Sequence, residues 1–240
     1  MKFIKLFKEQ TAFDKAKSTL DRPNVSLVKE NNNVYLLKKK NANGYSYVDL
    51  GLPSDTLWAT MNVGATSETD YGNYFMWGST KANTPDECTW EHAPFNGGNR
   101  SYSADAFNQV KDSVAPNGVL AKEYDAATQI MGGDWRMPTD AEISELLSNT
   151  NKQWFDNYKG TGVNGMKFTS KINGNSIFIP AAGNCSGGSV NSVGDNGSVW
   201  SSSLRTSNPY GAWSLRFLSS GCYMSNSNRY SGRSVRGVRK

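Results

Sequence analysis

The chain holds a single histidine, His92, and three cysteines, Cys88, Cys185 and Cys222, in 240 residues. One imidazole excludes the usual histidine-built catalytic and metal constellations. Three thiols, odd in number and far apart, make neither a disulfide framework nor a zinc site. No stretch approaches the roughly 18 apolar residues that a membrane helix needs, so no bilayer insertion is expected. The opening Met1-Lys-Phe-Ile-Lys-Leu-Phe-Lys8 repeats lysine at every third position and develops no apolar centre. No signal peptide is evident there. What the chain does have is rings: 12% aromatic residues, with 7 Trp, are too much ring surface for a disordered chain.

The net charge of +5 is unevenly placed. Residues 184–240 carry Arg205, Arg216, Arg229, Arg233, Arg236, Arg239 and Lys240 against Asp195 alone, and the rest of the chain is nearly balanced. The arginines stand singly among Ser, Gly, Asn and Tyr rather than in a block, so nucleic acid is not the expected partner. Residues 184–239 also lack Lys, Glu, Gln, His and Ile, most of them common before position 184. A Ser/Gly linker would explain the bias, but Trp200, Leu204, Trp213, Leu215, Phe217, Met224, Val235 and Val238 punctuate the segment as apolar anchors. The segment is folded, and its polar side chains come from a restricted set.

Residues 1–44 read as a small α/β unit. Phe13, Ala16 and Leu20 have helical spacing, and Val25-Ser-Leu-Val and Val34-Tyr-Leu-Leu read as strands around Asn31-Asn-Asn33, followed by a linker at 38–44. From Tyr45 to the end, short strands alternate with Gly/Asn turns, with a helical stretch at Tyr124–Ile130. The clearest helix follows Pro138: Thr139 is its N-cap, Glu142 closes a capping box, and Ile143, Leu146 and Leu147 form the buried stripe. Met166–Ser170 and Ser176–Pro180 read as a hairpin across Asn173-Gly174. The class is α+β, with short antiparallel strands, few helices and much loop.

Six ordered motifs carry a family resemblance: Tyr47-Val-Asp-Leu-Gly-Leu-Pro through Val63-Gly-Ala65, Tyr71-Gly-Asn-Tyr-Phe-Met-Trp-Gly78, Gly133-Asp-Trp-Arg-Met-Pro-Thr139, Asn175-Ser-Ile-Phe-Ile-Pro-Ala-Ala-Gly183, Val199-Trp-Ser-Ser-Ser203 with Ala212-Trp-Ser-Leu-Arg-Phe217, and Ser234-Val-Arg-Gly-Val-Arg239. Residues 45–240 thereby resemble the C-type lectin fold of the formylglycine-generating-enzyme type. Within it they are most similar to the variable proteins of diversity-generating retroelements. The resemblance implies a C-terminal repeat, here 184–233, rewritten at adenines, whose changed side chains form a ligand-binding face. Changing the two adenines of an AAC codon never yields Lys, Glu, Gln, Met or Trp. The polar set of residues 184–239 obeys that code, which leaves Met and Trp as scaffold.

Strand alternation in Ala212–Leu218 then separates inward Trp213, Leu215 and Phe217 from outward Ser214, Arg216 and Leu218. Met224 is a further inward anchor. The expected ligand-binding positions are Arg205, Tyr210, Gly211, Ser214, Arg216, Leu218, Ser220, Gly221, Tyr223, Ser225, Tyr230 and Ser231. A Tyr/Ser/Gly/Arg surface has the composition of an antibody paratope. The resemblance implies a receptor-binding or adhesive protein, on a phage tail or a bacterial surface, whose partner is a protein or glycan on a target cell. A formylglycine-generating-like enzyme and a non-diversified surface protein of the same fold are the alternatives.

No catalytic residue, cofactor or metal site is expected. Cys185 and Cys222 lie late, where the enzyme resembled here keeps a cysteine pair, but neither has a base in its sequence neighbourhood, and Cys88 reads as a small buried apolar residue. Calcium-binding lectins use an acid beside a proline, and Ser207-Asn-Pro-Tyr210 has none. Glu68 and Asp70 read as a solvated loop. Trp58, Trp77, Trp135, Trp200 and Trp213 read as core, while Trp90, Trp154 and His92 fall in loops without an assigned role.

Overall fold

Local chemistry fixes where the helices start. The computed structural model describes residues 5–6, 25–30, 34–40, 43–95, 110–208 and 210–240, so the helix expected near Phe13 lies outside the described residues. Among the described residues α1 is Ala126–Met131 and α2 is Asp140–Asn149. Asp125 caps α1 by accepting the Thr128 N–H at 2.9 Å, and the same carboxylate accepts the Met137 N–H at 2.8 Å. One buried side chain thus ties the start of α1 to the approach to α2. At α2 the expected capping box is present: Thr139 Oγ1 accepts the Glu142 N–H, and Glu142 accepts the Thr139 N–H.

The strands, in chain order, are β1 (Lys5–Leu6), β2 (Val25–Glu30), β3 (Val34–Lys40), β4 (Ser46–Asp49), β5 (Leu57–Asn62), β6 (Thr150–Phe155), β7 (Gly165–Ser170), β8 (Ser176–Pro180), β9 (Asn184–Ser186), β10 (Ser189–Asn191), β11 (Asn196–Leu204), β12 (Gly211–Leu218), β13 (Gly221–Asn228) and β14 (Arg236–Arg239). They form mostly short antiparallel pairs, as the turn-rich sequence implies. One sheet has the order β1-β3-β4-β5-β14 with β2 on β3; β6-β7-β8 and β11-β12-β13 form three-stranded sheets, and β9 pairs β10. The β2–β3 hairpin has Val28 opposite Leu36. Reading 38–40 as linker is corrected: β3 continues to Lys40 and pairs with β4, Lys39 opposite Tyr47.

Among the described residues two large cores form, with a small third cluster of Met76, Cys88, Ala93 and Cys185. The first gathers Phe75, Trp77, Trp135, Trp200, Val235 and the buried face of α1. The second packs Trp58, Ile143, Leu146, Phe168, Ile179, Leu215, Phe217 and Val238, so that α2 and β7 both pack against the inner face of β12. Trp58, Trp77, Trp135 and Trp200 are all at most 1% exposed, as expected of core tryptophans. Trp154, read from sequence as a loop residue, lies instead in β6 against the second core, with its indole N–H on Asp156 at 2.7 Å.

The C-terminal segment closes the molecule. β14 lies antiparallel to β5, with Val238 opposite Trp58, and Val235 and Val238 are both fully buried, one in each core. Between them Arg236 is also fully buried. Its guanidinium donates to Asn62 Oδ1, the Ala59 carbonyl and the Phe178 carbonyl, each at 3.0 Å. Burial pushes its pKa down to about 9, offset in part by the field of Glu68, so it stays charged at neutral pH.

Two outcomes follow from these contacts. A chain ending at Gly232 loses Val235, Arg236 and Val238 together and should show no cooperative melting transition; melting like the full chain would show that β14 is dispensable. The second concerns Glu142. Burial works against its charge, but two N–H bonds from Arg136, one from Thr139 and the Thr56 hydroxyl outweigh burial and hold its pKa at about 2, below the ordinary 4.5. A depressed carboxylate stabilises the fold above its unfolded value and loses that contribution as pH falls through the folded one. The melting temperature of the native chain should therefore fall more steeply from pH 4.5 towards pH 2 than that of Glu142→Gln.

Candidate binding face

The β11-β12-β13 sheet carries most of the side chains singled out from sequence, and its register shows which of them share a face. Arg216 stands opposite Ser198 on β11 and Tyr223 on β13; Ser214 stands opposite Trp200 and Ser225. Cross-strand partners point to the same side. Leu215 lies opposite Val199 and Met224, and Phe217 opposite Gly197 and Cys222. This second set is the face turned to α2 and β7, where Leu215 and Phe217 are fully buried. Gly197 shows how tightly that face is filled: a Cβ there would meet the Phe217 ring at 2.0 Å. The alternation read from sequence therefore holds for Leu215, Phe217, Arg216 and Leu218. Trp213 shares the inward face but is only half-buried, standing opposite exposed Asn226 at that end.

On the outer face and its rim, Arg216, Ser220 and Tyr223 are exposed, with Tyr223 at 46%. Leu218, Gly221, Ser225, Arg205, Tyr210 and Tyr230 are half-buried. Arg205 donates to Asn226 Oδ1 at 2.7 Å, which places it beside β13. Three expected positions are corrected, because Gly211, Ser214 and Ser231 are buried. Gly211 lies on the Trp213 side of the strand, next to the Arg205 side chain; for Ser214 the cause is the course of β11, whose pairing slips between Trp200 and Leu204. There Trp200, Leu204 and Ala212 turn into the first core, so the outer side of β12 is closed as far as Ser214 and opens at Arg216. Ser231 is shut in next to Gly232, whose N–H and carbonyl both pair with Cys185 and whose Cα leaves no room for a Cβ beside Cys88 Sγ at 2.6 Å.

The basic character of the tail is also less of a surface than the sequence suggests. Arg229 and Arg236 are fully buried, Arg229 lying 5.8 Å from the Trp77 ring centre. Arg239 lies over Tyr47 and pairs with Asp134 at 3.2 Å. Arg233 covers the Trp200 ring at 5.2 Å and donates to Ser198 Oγ at 2.5 Å. Arg216 is the tail arginine exposed on the outer face, while half-buried Arg205 reaches Asn226 at the end of the sheet beside Trp213.

Sequence reasoning missed two contributors. Trp90 packs on Tyr230 with ring centres 4.3 Å apart and planes tilted by 50°, and meets Tyr210 edge-on at 5.6 Å, so a residue far upstream buttresses two expected binding tyrosines. Nothing local in Thr89-Trp-Glu-His92 signals that contact, since it depends on long-range packing. Arg233 falls within the expected variable segment 184–233 but is not among the expected binding positions; the pairing of Val199 with Ser234 carries it over β11. His92 lies in the same loop as Trp90, with Nδ1 3.0 Å from Thr89 Oγ1.

As for other chemistry, burial raises the pKa of all three thiols, Cys222 to about 12, the reverse of what a thiolate nucleophile needs. Among the described residues no group of three or more His, Cys, Asp or Glu is placed to hold a metal ion. Asp70 is occupied locally, accepting from the Thr66 and Gly72 N–H groups, and Glu68 pairs with Lys159. No helix among the described residues is long and apolar enough to cross a membrane. Comparison with family models, characterised proteins and solved structures finds no match.

The face and the core should separate in denaturation experiments. Tyr223→Ala and Leu218→Ala should change stability by no more than about 0.5 kcal/mol, as surface changes do. Trp200→Ala, which also removes an indole N–H bond to the Phe75 carbonyl at 2.8 Å, should cost about 3–5 kcal/mol.

Proposed function

We propose that the chain is a ligand-binding protein with a C-type lectin fold of the formylglycine-generating-enzyme type, whose C-terminal face is diversified by a retroelement. One observation carries the reading. The side chains exposed on β12, β13 and the turn between them, namely Arg216, Ser219, Ser220, Tyr223, Asn226 and Asn228, all belong to the set that altered AAC codons can produce. Of the residues in the segment outside that set, Trp200 is fully buried, and Trp213 and Met224 are half-buried on the inner side of the sheet. Variation at the exposed positions would leave both cores untouched.

Binding of this kind rests on a few large side chains. Tyr and Arg bury much area for few frozen rotors and can hydrogen-bond at the tip. Arg216, Tyr223 and Tyr230 are the central anchors in this reading, with Trp90 fixing Tyr230. The protein would serve as a receptor-binding or adhesive module at a phage tail or a bacterial surface, meeting a protein or glycan on a target cell. The buried thiols favour this reading over a formylglycine-generating-like enzyme.

The neighbouring DNA tests it. A reverse-transcriptase gene and a near-copy of the 3′ end of this gene are expected, with differences confined to adenines in the codons of exposed residues such as Arg216 and Tyr223. A locus without the repeat, or differences spread through the Leu215 and Phe217 codons, would contradict diversification and favour a fixed surface protein. Given a ligand, Tyr223→Ala should weaken binding by on the order of 2 kcal/mol.

A further inference from the structure

Two arginines converge on Ser198 at the outer face, and no ion pair among the described residues links either to a carboxylate. Arg216 projects from β12 opposite Ser198, and Arg233 arrives from the C-terminal segment to donate to that same Ser198 hydroxyl. Arg233 is held in place by the Trp200 ring beneath it. Among the described residues, the ion pairs are Arg136–Glu142, Lys159–Glu68 and Arg239–Asp134, so neither Arg216 nor Arg233 has an acidic partner. The Arg233 Nε is buried and finds no acceptor. Burial and then the field of Arg216 push the pKa of Arg233 down to about 10.

Like charges brought together in a partly desolvated place are unfavourable, and an anion between them removes that cost. The planar fork of arginine suits a carboxylate, which can take two parallel N–H bonds. The surroundings say what kind of molecule would bring the carboxylate. Arg216 and Tyr223 stand side by side on the outer face where it opens, between Ser214 and the β12–β13 turn with exposed Ser219 and Ser220. The exposed ring of Tyr223, and Tyr230 backed by Trp90, flank the arginines with the broad amphipathic contact that protein surfaces meet. We infer that Arg216 and Arg233 together receive a glutamate or aspartate carboxylate of an acidic protein surface. This rests on the binding-face reading above and names the chemistry of its partner.

The experiment titrates the full-length chain with a hexaglutamate peptide, and in parallel with trigalacturonate and a hexathymidylate. Binding is followed by backbone amide shifts at about 150 mM salt, where exposed charges more than ~8 Å apart are largely screened. The peptide should bind most tightly of the three, shifting the amides of Arg216, Tyr223 and Arg233. Its Kd should rise about tenfold in Arg216→Gln and stay unchanged in Lys122→Gln, an exposed charge in a different element. Arg216→Gln should melt with the native chain, since Arg216 is exposed. Absence of peptide binding, an equal loss in Lys122→Gln, or tighter binding of the saccharide or the oligonucleotide would each overturn the inference. If the DNA repeat is found and the peptide fails to bind, the binding face stands and this assignment of its partner falls.

Discussion

Everything in the C-terminal half depends on a charge buried between layers. Arg236 has no acid against it; its three hydrogen bonds end on Asn62 and on the carbonyls of Ala59 and Phe178. Those acceptors lie on β5 and β8, so one side chain of β14 ties the sheet that β14 shares with β5 to the β6-β7-β8 sheet. A buried ion without partners would cost several kcal/mol, and good geometry to several oxygens offsets this. The arrangement is therefore all-or-none. With β14 in place, Val235 and Val238 complete the two cores on either side of the arginine.

This closure gives the face its freedom. The β11-β12-β13 sheet is held from within by Leu215, Phe217 and Val199 against α2 and β7, and from one end by Trp200 and Leu204 in the first core. Outward side chains from Arg216 onward contribute little to either core. The same segment can carry fixed and free positions at alternate residues, because strand geometry sends neighbours to opposite sides. The boundary between them is not the alternation alone, as Ser214 shows by lying on the outward side yet fully buried.

Much of the fold was legible because its signals are local. Thr139 and Glu142 announce α2 through capping chemistry, Asn173-Gly174 marks the β7–β8 hairpin, and Leu215 and Phe217 reveal the inner side of β12 by period. Other features were not legible, and the reasons are physical. The slip in β11 that buries Ser214 arises from pairing, not from residue type. Trp90 reaches Tyr210 and Tyr230 across more than a hundred residues, and nothing in its own loop encodes that. The burial of Arg229 and Arg236 runs against the ordinary behaviour of arginine, so a charge count placed on the surface what the fold keeps inside.

The central claim is that the outer face varies without cost to the fold. Its most direct measurement randomises Arg216, Leu218, Ser220, Tyr223 and Ser225 together to the residues that altered AAC codons allow, and scores each clone for protease resistance. Most clones should remain as resistant as the native chain, and the same randomisation at Leu215, Phe217 and Arg236 should leave almost none. A first library in which most clones are degraded would show that these side chains belong to the scaffold, and the claim would fail.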